Sequence, residues 1–199
     1  GNVVDHITVP AFDDGNYRKK GKKDRTFAIV PFLKFLGWYI SEGAANEKGT
    51  IYIAQKKEVG RAILKEDIKD FPYIHSEEEN GFVFHGKDLA LFLRSAVGVY
   101  SQNKSIPRQI LDLHPDLLRH LFNALIAGDG MWVKGAKGRD DYRWYYDTTS
   151  KQLADDVSEL GFKLGYAISG HSYKTVKGSD AWRITGFDQR DSGCSKLKK

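Results

Sequence analysis

An α+β fold made of two pseudo-equivalent halves is what the sequence predicts. Two apolar segments, FLGWYISEG at Phe35–Gly43 and FNALIAGDG at Phe122–Gly130, each end in an acidic residue followed by glycine. Alternating, strand-like stretches follow both segments, and a similar helical segment comes after each set of strands. An internal repeat of this kind predicts two copies of one structural unit. No linker rich in proline or serine separates the copies, so we expect one compact domain.

The first half begins with a predicted helix over Phe32–Glu42. Pro31 suits its first turn, where the missing amide proton is not needed. Gly43 is expected to end the helix in the left-handed conformation that glycine adopts without steric strain. The following GTIYIAQK alternates, with Ile51 and Ile53 on one face, which indicates a half-buried strand.

Three more elements complete the first half. KEVGRAILKEDIKDF is amphipathic and predicts a helix, and KDLALFLRSAVGVY predicts another. Between them, YIHSEEENGFVFHG predicts a hairpin that turns near Asn80 and Gly81. The apolar stripe predicted for the first of these helices consists of Val59, Ala62, Ile63 and Ile68.

The second half has a similar order. Pro107 and Pro115 are each predicted to start a helix, and the second helix is predicted to end at Gly130. MWVKG and YRWYYDTT predict strands, KQLADDVSELGFKLG predicts an amphipathic helix, and YAISGHSY with AWRITGF predicts a hairpin. An alignment of the halves on their acids pairs Thr50, Tyr52, Ala54 and Lys56 with Arg143, Tyr145, Asp147 and Thr149.

We therefore divide the chain into a lead-in and one two-repeat domain. Residues 1–30 form the lead-in and include a basic loop. Residues 31–199 form the domain, with a first repeat over about 31–105 and a second over about 106–199.

Composition limits the class of protein. A hydrophobic content of 41% and a charged content of 29% are those of a soluble globular protein. Cys194 is the single cysteine, which excludes an internal disulfide, and the histidines have no zinc-binding spacing. No segment has the length of a membrane span and no secretory signal opens the chain, so we expect a cytoplasmic protein without a membrane partner.

The charge distribution favours a polyanionic partner. The formal net charge is +5, and the segments YRKKGKKDR and SKLKK are strongly basic. In WVKGAKGRDDYRWYYDTT, aromatic residues are interleaved with Arg and Lys, as on surfaces that contact phosphates and bases. A modest positive charge also serves solubility alone, so composition leaves both interpretations open.

The two repeated acids, Glu42 and Asp129, lie where a helix end disfavours them, because the C-terminus of a helix carries negative potential. Small residues spaced four apart, Gly37 with Ser41 and Ala124 with Gly128, would let the two helices approach closely. The acids would then be neighbours, so one of them would take up a proton or a cation would lie between them; we expect a hard cation such as Mg²⁺ to complete the charge balance. For one acid alone, a solvated helix end is the ordinary interpretation; two matching contexts favour a site for phosphodiester hydrolysis.

The two motifs resemble the signature helices of the LAGLIDADG homing endonucleases in their single-chain, two-repeat form. The resemblance covers about Phe32 to Phe187, and IPRQILDL and YYDTTSKQLADDV resemble the versions carried within inteins. It implies an αββαββα unit repeated once, with a central pair of helices and saddle-shaped antiparallel sheets over the DNA major groove. It also implies cleavage of both strands across the minor groove, by a monomer, at a long asymmetric site in double-stranded DNA.

The resemblance also assigns residues. Glu42 and Asp129 would bind Mg²⁺ or Mn²⁺, with Ser41 and Gly128 beside them. The catalytic candidates further include Gln55 and Lys56 at a strand end, and Lys174. The DNA-binding candidates are Arg18, Lys19, Lys20, Lys22, Lys23, Thr50, Tyr52, Lys134, Lys137, Arg139, Arg143, Tyr145 and Arg183.

Some features depart from the family pattern. The first motif ends in Glu rather than Asp, which keeps a hard oxygen ligand. Thr149 stands where a second catalytic lysine would be, with Lys151 and Lys174 as the nearest substitutes. Because Gly1 is not a splicing nucleophile and Lys199 is not Asn, we expect a protein that does not splice: either an isolated endonuclease domain or an intein without its splicing ends.

Two other functions are compatible with parts of the sequence. A nucleic-acid-binding protein of the same fold, such as a transcription factor or RNA maturase, would be catalytically silent and would commonly lack the motif acids. A structural domain with a basic surface would need neither motif. The presence of both Glu42 and Asp129 favours an enzyme.

Overall fold

The computed structural model describes residues 1–11, 24–134 and 142–188 of the chain. The described parts of the lead-in form two antiparallel strands, β1 (His6–Val9) and β2 (Arg25–Ala28). Val9 and Phe27 of these strands are buried in the main core. None of the helices in the described ranges is both long and apolar enough to cross a membrane.

The first repeat has the predicted order of elements. Its second and fourth strands form the centre of a four-stranded antiparallel sheet, and its first and third strands are the edges. The elements are α1 (Ile29–Glu42), β3 (Gly43–Ala45), β4 (Thr50–Ala54), α2 (Glu58–Ile68), β5 (His75–Glu78), β6 (Gly81–His85) and α3 (Lys87–Ala96).

The second repeat has the same topology, with its second and fourth strands at the centre of a four-stranded sheet. Its elements follow a short helix α4 (Arg108–Leu111) and are α5 (Pro115–Asp129), β7 (Gly130–Lys134), β8 (Tyr142–Thr148), α6 (Lys151–Lys163), β9 (Tyr166–Lys174) and β10 (Asp180–Asp188). The predicted α+β class with two antiparallel sheets is thus confirmed. A final helix of the second repeat would lie beyond residue 188, outside the described residues.

The pairing of strands within each sheet shows which residues of the two repeats are equivalent. Gly43 pairs with Ile53 in the first sheet, and Gly130 pairs with Tyr146 in the second. Ile53 is therefore equivalent to Tyr146, and the next residue, Ala54, to Asp147. This is the correspondence that the alignment of the two acids predicted.

The predicted apolar stripe of α2 is wrong in most of its members. Leu64 and Ile68 are buried, whereas Val59 and Ile63 are 74% and 42% exposed and Ala62 is exposed too. Polar side chains account for the difference, because they take positions facing the rest of the protein and find partners there. Asp67 of α2 accepts a hydrogen bond from Trp38 Nε1, and Arg61 donates to the backbone oxygen of Gln55.

Gly43 does not adopt the left-handed conformation expected for it, and Gly130 does not adopt that conformation either. Gly43 and Gly130 have φ values of −92° and −96°, which are extended, because each helix continues directly into a strand. Glycine is needed at both positions because a side chain would not fit there. A Cβ on Gly43 would lie 2.5 Å from the Tyr39 oxygen, and one on Gly130 would lie 2.6 Å from the Ile126 Cα.

The two motif helices, α1 and α5, pack directly against each other at the centre of the molecule. A Cβ placed on Gly37 would lie 2.6 Å from the Ala124 Cβ, and one on Gly128 would lie 2.5 Å from the Ser41 Cβ. The four small residues thus alternate across the interface and let the backbones approach, as their spacing predicted. One continuous apolar core surrounds this helix pair and includes residues of both sheets.

We predict that Gly37→Ala destabilises the protein by about 2 kcal/mol, because the added methyl group overpacks the helix interface. The sign is diagnostic, since alanine is the better helix former by about 1 kcal/mol at an exposed position. Gly170→Ala in β9 is the matched control, because its nearest neighbour would be 3.7 Å away. Urea unfolding of both variants checks this, and a stabilised Gly37→Ala would contradict the close helix approach.

Candidate active site

The candidate active site lies where α1 and α5 end side by side. Glu42 is the last residue of α1 and Asp129 the last of α5. Ser41 Oγ donates to the backbone oxygen of Leu125 at 3.1 Å and lies 3.4 Å from the Tyr146 hydroxyl. These contacts cross from one motif helix to the other half, so they fix the position of Glu42 relative to Asp129.

A buried lysine that the sequence did not single out lies near both acids. Lys104 is 6% exposed and comes from the connection between the repeats, after a short 3-10 turn at Ser101–Asn103. Its Nζ donates to the backbone oxygens of Tyr39, Ile40 and Gly43 at 3.0, 2.7 and 2.8 Å. Lys104 therefore caps the C-terminal carbonyls of α1.

One sequence signal for Lys104 does exist, although it is indirect. Helix α1 has no basic residue in its last turn, and its final carbonyls need donors from elsewhere. Which residue supplies them depends on the path of the chain after α3, and no local pattern in SQNKSIP identifies it.

The electrostatics of the site are those of two crowded acids that share one ammonium. Burial, and then the nearby Glu42, raise the pKa of Asp129 to about 7, while Lys104 opposes the shift. Burial also raises the pKa of Glu42, against the effects of Lys104 and Lys57. Burial lowers the pKa of Lys104 to about 8, against the effects of both acids. Asp129 is exposed to solvent as a residue, although many protein atoms lie near its carboxyl group and raise its pKa.

Two cavities flank Lys104. One of about 270 Å³ is bordered by Asp129, Tyr146 and Asp147 of the second repeat. The other, of about 340 Å³, is bordered by Glu42 and by Tyr100, whose backbone has a φ of 66°. Lys104 borders both cavities, so each acid has its own open space with the ammonium between them.

The expectation that a metal alone completes the charge balance needs correction, because Lys104 supplies one positive charge. Two carboxylates and one ammonium still leave an excess negative charge when all three are ionised. The carboxylates are hard oxygen donors of the kind that Mg²⁺ and Mn²⁺ prefer, and such ions keep several waters or phosphate oxygens. No group of three His, Cys, Asp or Glu side chains suited to a metal occurs in the described ranges. The donor set therefore fits an ion that is shared with a ligand.

The other predicted catalytic residues lie in different surroundings. Lys56 is exposed just after β4. Gln55 is buried, and its Oε1 accepts from the backbone N–H of Lys57 at 3.1 Å, so it holds the start of α2. Lys174 pairs with Asp180 at 2.7 Å. Lys57, rather than Lys56, is the strand-end lysine that influences the pKa of Glu42.

The predicted DNA-contacting residues divide between two sheet faces of different character. Thr50 and Tyr52 alternate with buried Ile51 and Ile53, so they lie on the face directed away from the helices. Ala54 completes this row, which contains no charge.

In the second sheet, the equivalent face carries cations stacked on aromatic rings. The Arg143 guanidinium lies 4.8 Å from the Phe187 ring centroid, and that of Arg183 lies 5.7 Å from Tyr145. Val133 is paired with Arg143 and so shares its face of the sheet. Lys134, the next residue of the strand, is exposed but belongs to the opposite face. The remaining candidates lie outside the described residues: Arg18, Lys19, Lys20, Lys22, Lys23, Lys137 and Arg139.

Comparison with known proteins gives distant sequence relatives. No protein-family model matches the chain. The chain is 28% identical over 172 residues to the ATP-dependent DNA helicase Hel308 of Thermococcus kodakarensis. It is 25% identical over 209 residues to the DNA-directed RNA polymerase subunit beta C-terminal section of Stigeoclonium helveticum. The matches cover 81% and 86% of this chain but span only 15% and 19% of these relatives.

Solved structures give a consistent match for the fold. A structure of mesophilic variants of the homing endonuclease I-DmoI has a TM-score of 0.53, with 15% identity, and covers 82% of this chain and 91% of that one. I-DmoI in complex with DNA and Mn has a TM-score of 0.51, and a variant in complex with its nicked target DNA has 0.54, both at 14% identity. Each match covers 82% of this chain and at least 90% of the other. The chain has the fold of I-DmoI.

We predict that Lys104→Met lowers the free energy of unfolding by at least about 2 kcal/mol, because buried carbonyls lose their donor and two acids lose their cation. Lys151→Met is the matched control, since Lys151 is exposed and pairs with Asp155 one helical turn away. That exposed pair contributes less than about 1 kcal/mol. Equal, small losses in urea unfolding of the two variants would contradict the capping role.

We predict that Asp129→Asn stabilises the metal-free protein at pH 8 but not at pH 4. An acid whose pKa is raised from 3.8 to about 7 on folding opposes folding increasingly above pH 3.8 and fully above pH 7. The gain should be about 1 kcal/mol once solvent exposure is allowed for. Thermal unfolding in EDTA at both pH values measures it, and a less stable variant at pH 8 would contradict the crowding of the acids.

Proposed function

We propose that the protein is a site-specific endonuclease that hydrolyses double-stranded DNA with a divalent cation, Mg²⁺ or Mn²⁺, held between Glu42 and Asp129. One observation carries the proposal: two carboxylates from equivalent helix ends meet beside a buried ammonium, at the junction of the two repeats. Such an arrangement is costly for a purely structural purpose, because burial raises the pKa of both acids and the negative charge of Glu42 raises that of Asp129 further.

Each residue of the site has a distinct part in this proposal. Glu42 and Asp129 hold the cation, which supplies positive charge to the attacking water and the leaving oxygen of a phosphodiester. Lys104 fixes the end of α1 through its backbone contacts and partly offsets the two acids. Lys57 lies after β4, close enough to Glu42 to lower its pKa, and Lys56 precedes it in the chain; both are candidates for a cation that contacts a phosphate.

The two sheets supply the proposed DNA-binding surface. Their outward faces belong to opposite halves of one chain, and the acids lie between the halves. The arginine–aromatic pairs of the second sheet suit contact with bases and phosphates. I-DmoI, whose fold this chain shares, has been solved in complex with DNA and Mn, which agrees with this choice of substrate and metal.

We also propose that one chain acts alone on an asymmetric target. Both motif helices belong to the same chain, so the helix pair forms without a second copy. The two outward sheet faces differ in charge and size, so they would contact different bases in the two half-sites.

An origin as an inserted element is proposed from the sequence relatives. The chain matches less than a fifth of a helicase and less than a fifth of an RNA polymerase subunit. Because these two proteins differ in activity, their shared segment is better explained by a self-contained insertion than by either activity. An intein-borne endonuclease domain acting on cytoplasmic DNA accounts for this pattern.

We predict that the protein cuts members of a random duplex DNA library in Mg²⁺ or Mn²⁺, and that sequencing of the cut ends identifies one target. In EDTA or Ca²⁺ it should bind that target without cutting, because Ca²⁺ has a looser coordination shell. Glu42→Gln and Asp129→Asn should each slow cleavage at least about a hundredfold with little change in binding.

Glu66→Gln is the matched control for this experiment, because Glu66 lies on the exposed side of α2 and pairs with Lys69. It should cut at the rate of the unaltered protein. Tight binding without cleavage under any metal would identify a catalytically silent DNA-binding protein instead. Rapid cutting in EDTA would refute the carboxylate–metal site.

A further inference from the structure

One arginine on the outward face of the second sheet is held by a carboxylate on the neighbouring strand. Arg183 of β10 lies opposite Asp147 of β8 in the strand register. Its Nε donates to Asp147 Oδ1 at 2.9 Å and its NH2 donates to Oδ2 at 2.8 Å. This two-point contact lies along one edge of the guanidinium and fixes its plane.

Two tyrosines further restrict this arginine. The Tyr173 hydroxyl donates to Asp147 Oδ1 at 3.3 Å, and the Arg183 guanidinium lies 5.7 Å from the Tyr145 ring centroid and 6.0 Å from that of Tyr173. Both charged side chains remain accessible, at 42% for Arg183 and 38% for Asp147. The arginine is therefore oriented in advance while still open to a ligand.

The edge of the Arg183 guanidinium that does not bond Asp147 indicates which ligand it would bind. Guanidinium has five N–H donors, and within the described ranges the hydrogen bonds of Arg183 use Nε and one NH2 proton. The NH1 and NH2 protons on the remaining edge form a fork of two parallel donors. In the DNA major groove, the O6 and N7 acceptors of guanine match such a fork, and this is the commonest specific contact of arginine.

We propose that Arg183 recognises one guanine in the major groove, with Asp147 as the positioning residue that aims it. The inference rests on the proposed binding of double-stranded DNA and adds the identity of one recognised base. Asp147 borders the same cavity as Asp129, so this guanine should lie in the part of the half-site near the cleavage centre.

The first half cannot make the mirrored contact. By strand register, Ala54 is equivalent to Asp147, and Gly81, the partner of Ala54, is equivalent to Arg183. A Cβ on Gly81 would lie 2.2 Å from the Ile53 oxygen and 2.9 Å from the Tyr52 hydroxyl, so no side chain fits there. The guanine preference should therefore occur in one half-site only.

The experiment selects duplexes from a library randomised over the whole binding footprint, in Ca²⁺ so that cleavage is not required. Arg183→Lys keeps the charge but removes the fork. Its preference for guanine at one position, on one side of the centre, should fall roughly tenfold or more relative to the unaltered protein. Asp147→Asn should relax the same position to a smaller extent and leave the other positions unchanged.

Arg61→Lys is the matched control, because Arg61 is also paired with a carboxylate, Glu77, but belongs to helix α2. Its base profile should equal that of the unaltered protein. Uniformly weaker binding of Arg183→Lys with an intact base profile would show a phosphate contact and overturn the inference. DNA selected without an Arg183-dependent guanine would overturn it too, whereas failure to select any DNA would refute the proposed DNA binding itself.

Discussion

The close approach of α1 and α5 is the constraint on which the rest of the structure depends. Gly37 packs on Ala124 and Ser41 packs on Gly128, so the two helix backbones lie nearly in contact. Each helix runs directly into the first strand of its own sheet. The packing of four small residues therefore sets the separation of the acids, and also the placement of one sheet relative to the other. Gly37, in the middle of α1, is unfavourable for helix formation by about 1 kcal/mol, and the interface that it permits offsets this.

The acids at the end of this helix pair are held against two unfavourable forces, their mutual repulsion and the negative potential of the helix ends. Lys104 reduces both, because it bonds the carbonyls of α1 and lies within electrostatic reach of the two carboxylates. Among the described residues, Lys104 bonds the carbonyls of α1 alone, and its one positive charge does not neutralise two acids. The site thus retains a preference for further positive charge, which is the property that a metal-dependent reaction uses.

The sequence predicts those features that depend on short-range periodicity. The alternation in Thr50–Ala54, the apolar motif helices and the four-residue spacing of small residues led to the correct elements and helix pair. Several other features, which depend on tertiary contacts, were not predicted. The apolar pattern of α2 misassigned Val59 because polar neighbours fill the inward positions, and the extended glycines after α1 and α5 follow from strand pairing. Lys104 was missed because its hydrogen-bond partners are 61 to 65 residues away along the chain.

The position of Lys104 in the connection between the repeats restricts how two-repeat chains of this kind can recombine. A crossover at the end of α3 would preserve both motif helices and both sheets, yet it would replace the residue that caps α1. The incoming partner would have to bring its own cation to the same place, and nothing in its motifs would ensure that. The first repeat is therefore exchangeable as a functional unit only when it carries the connection with it through Ser105, whose N–H bonds back to Val97. In hybrids joined beyond this point, Lys104 and the helix α1 that it caps would come from the same parent chain.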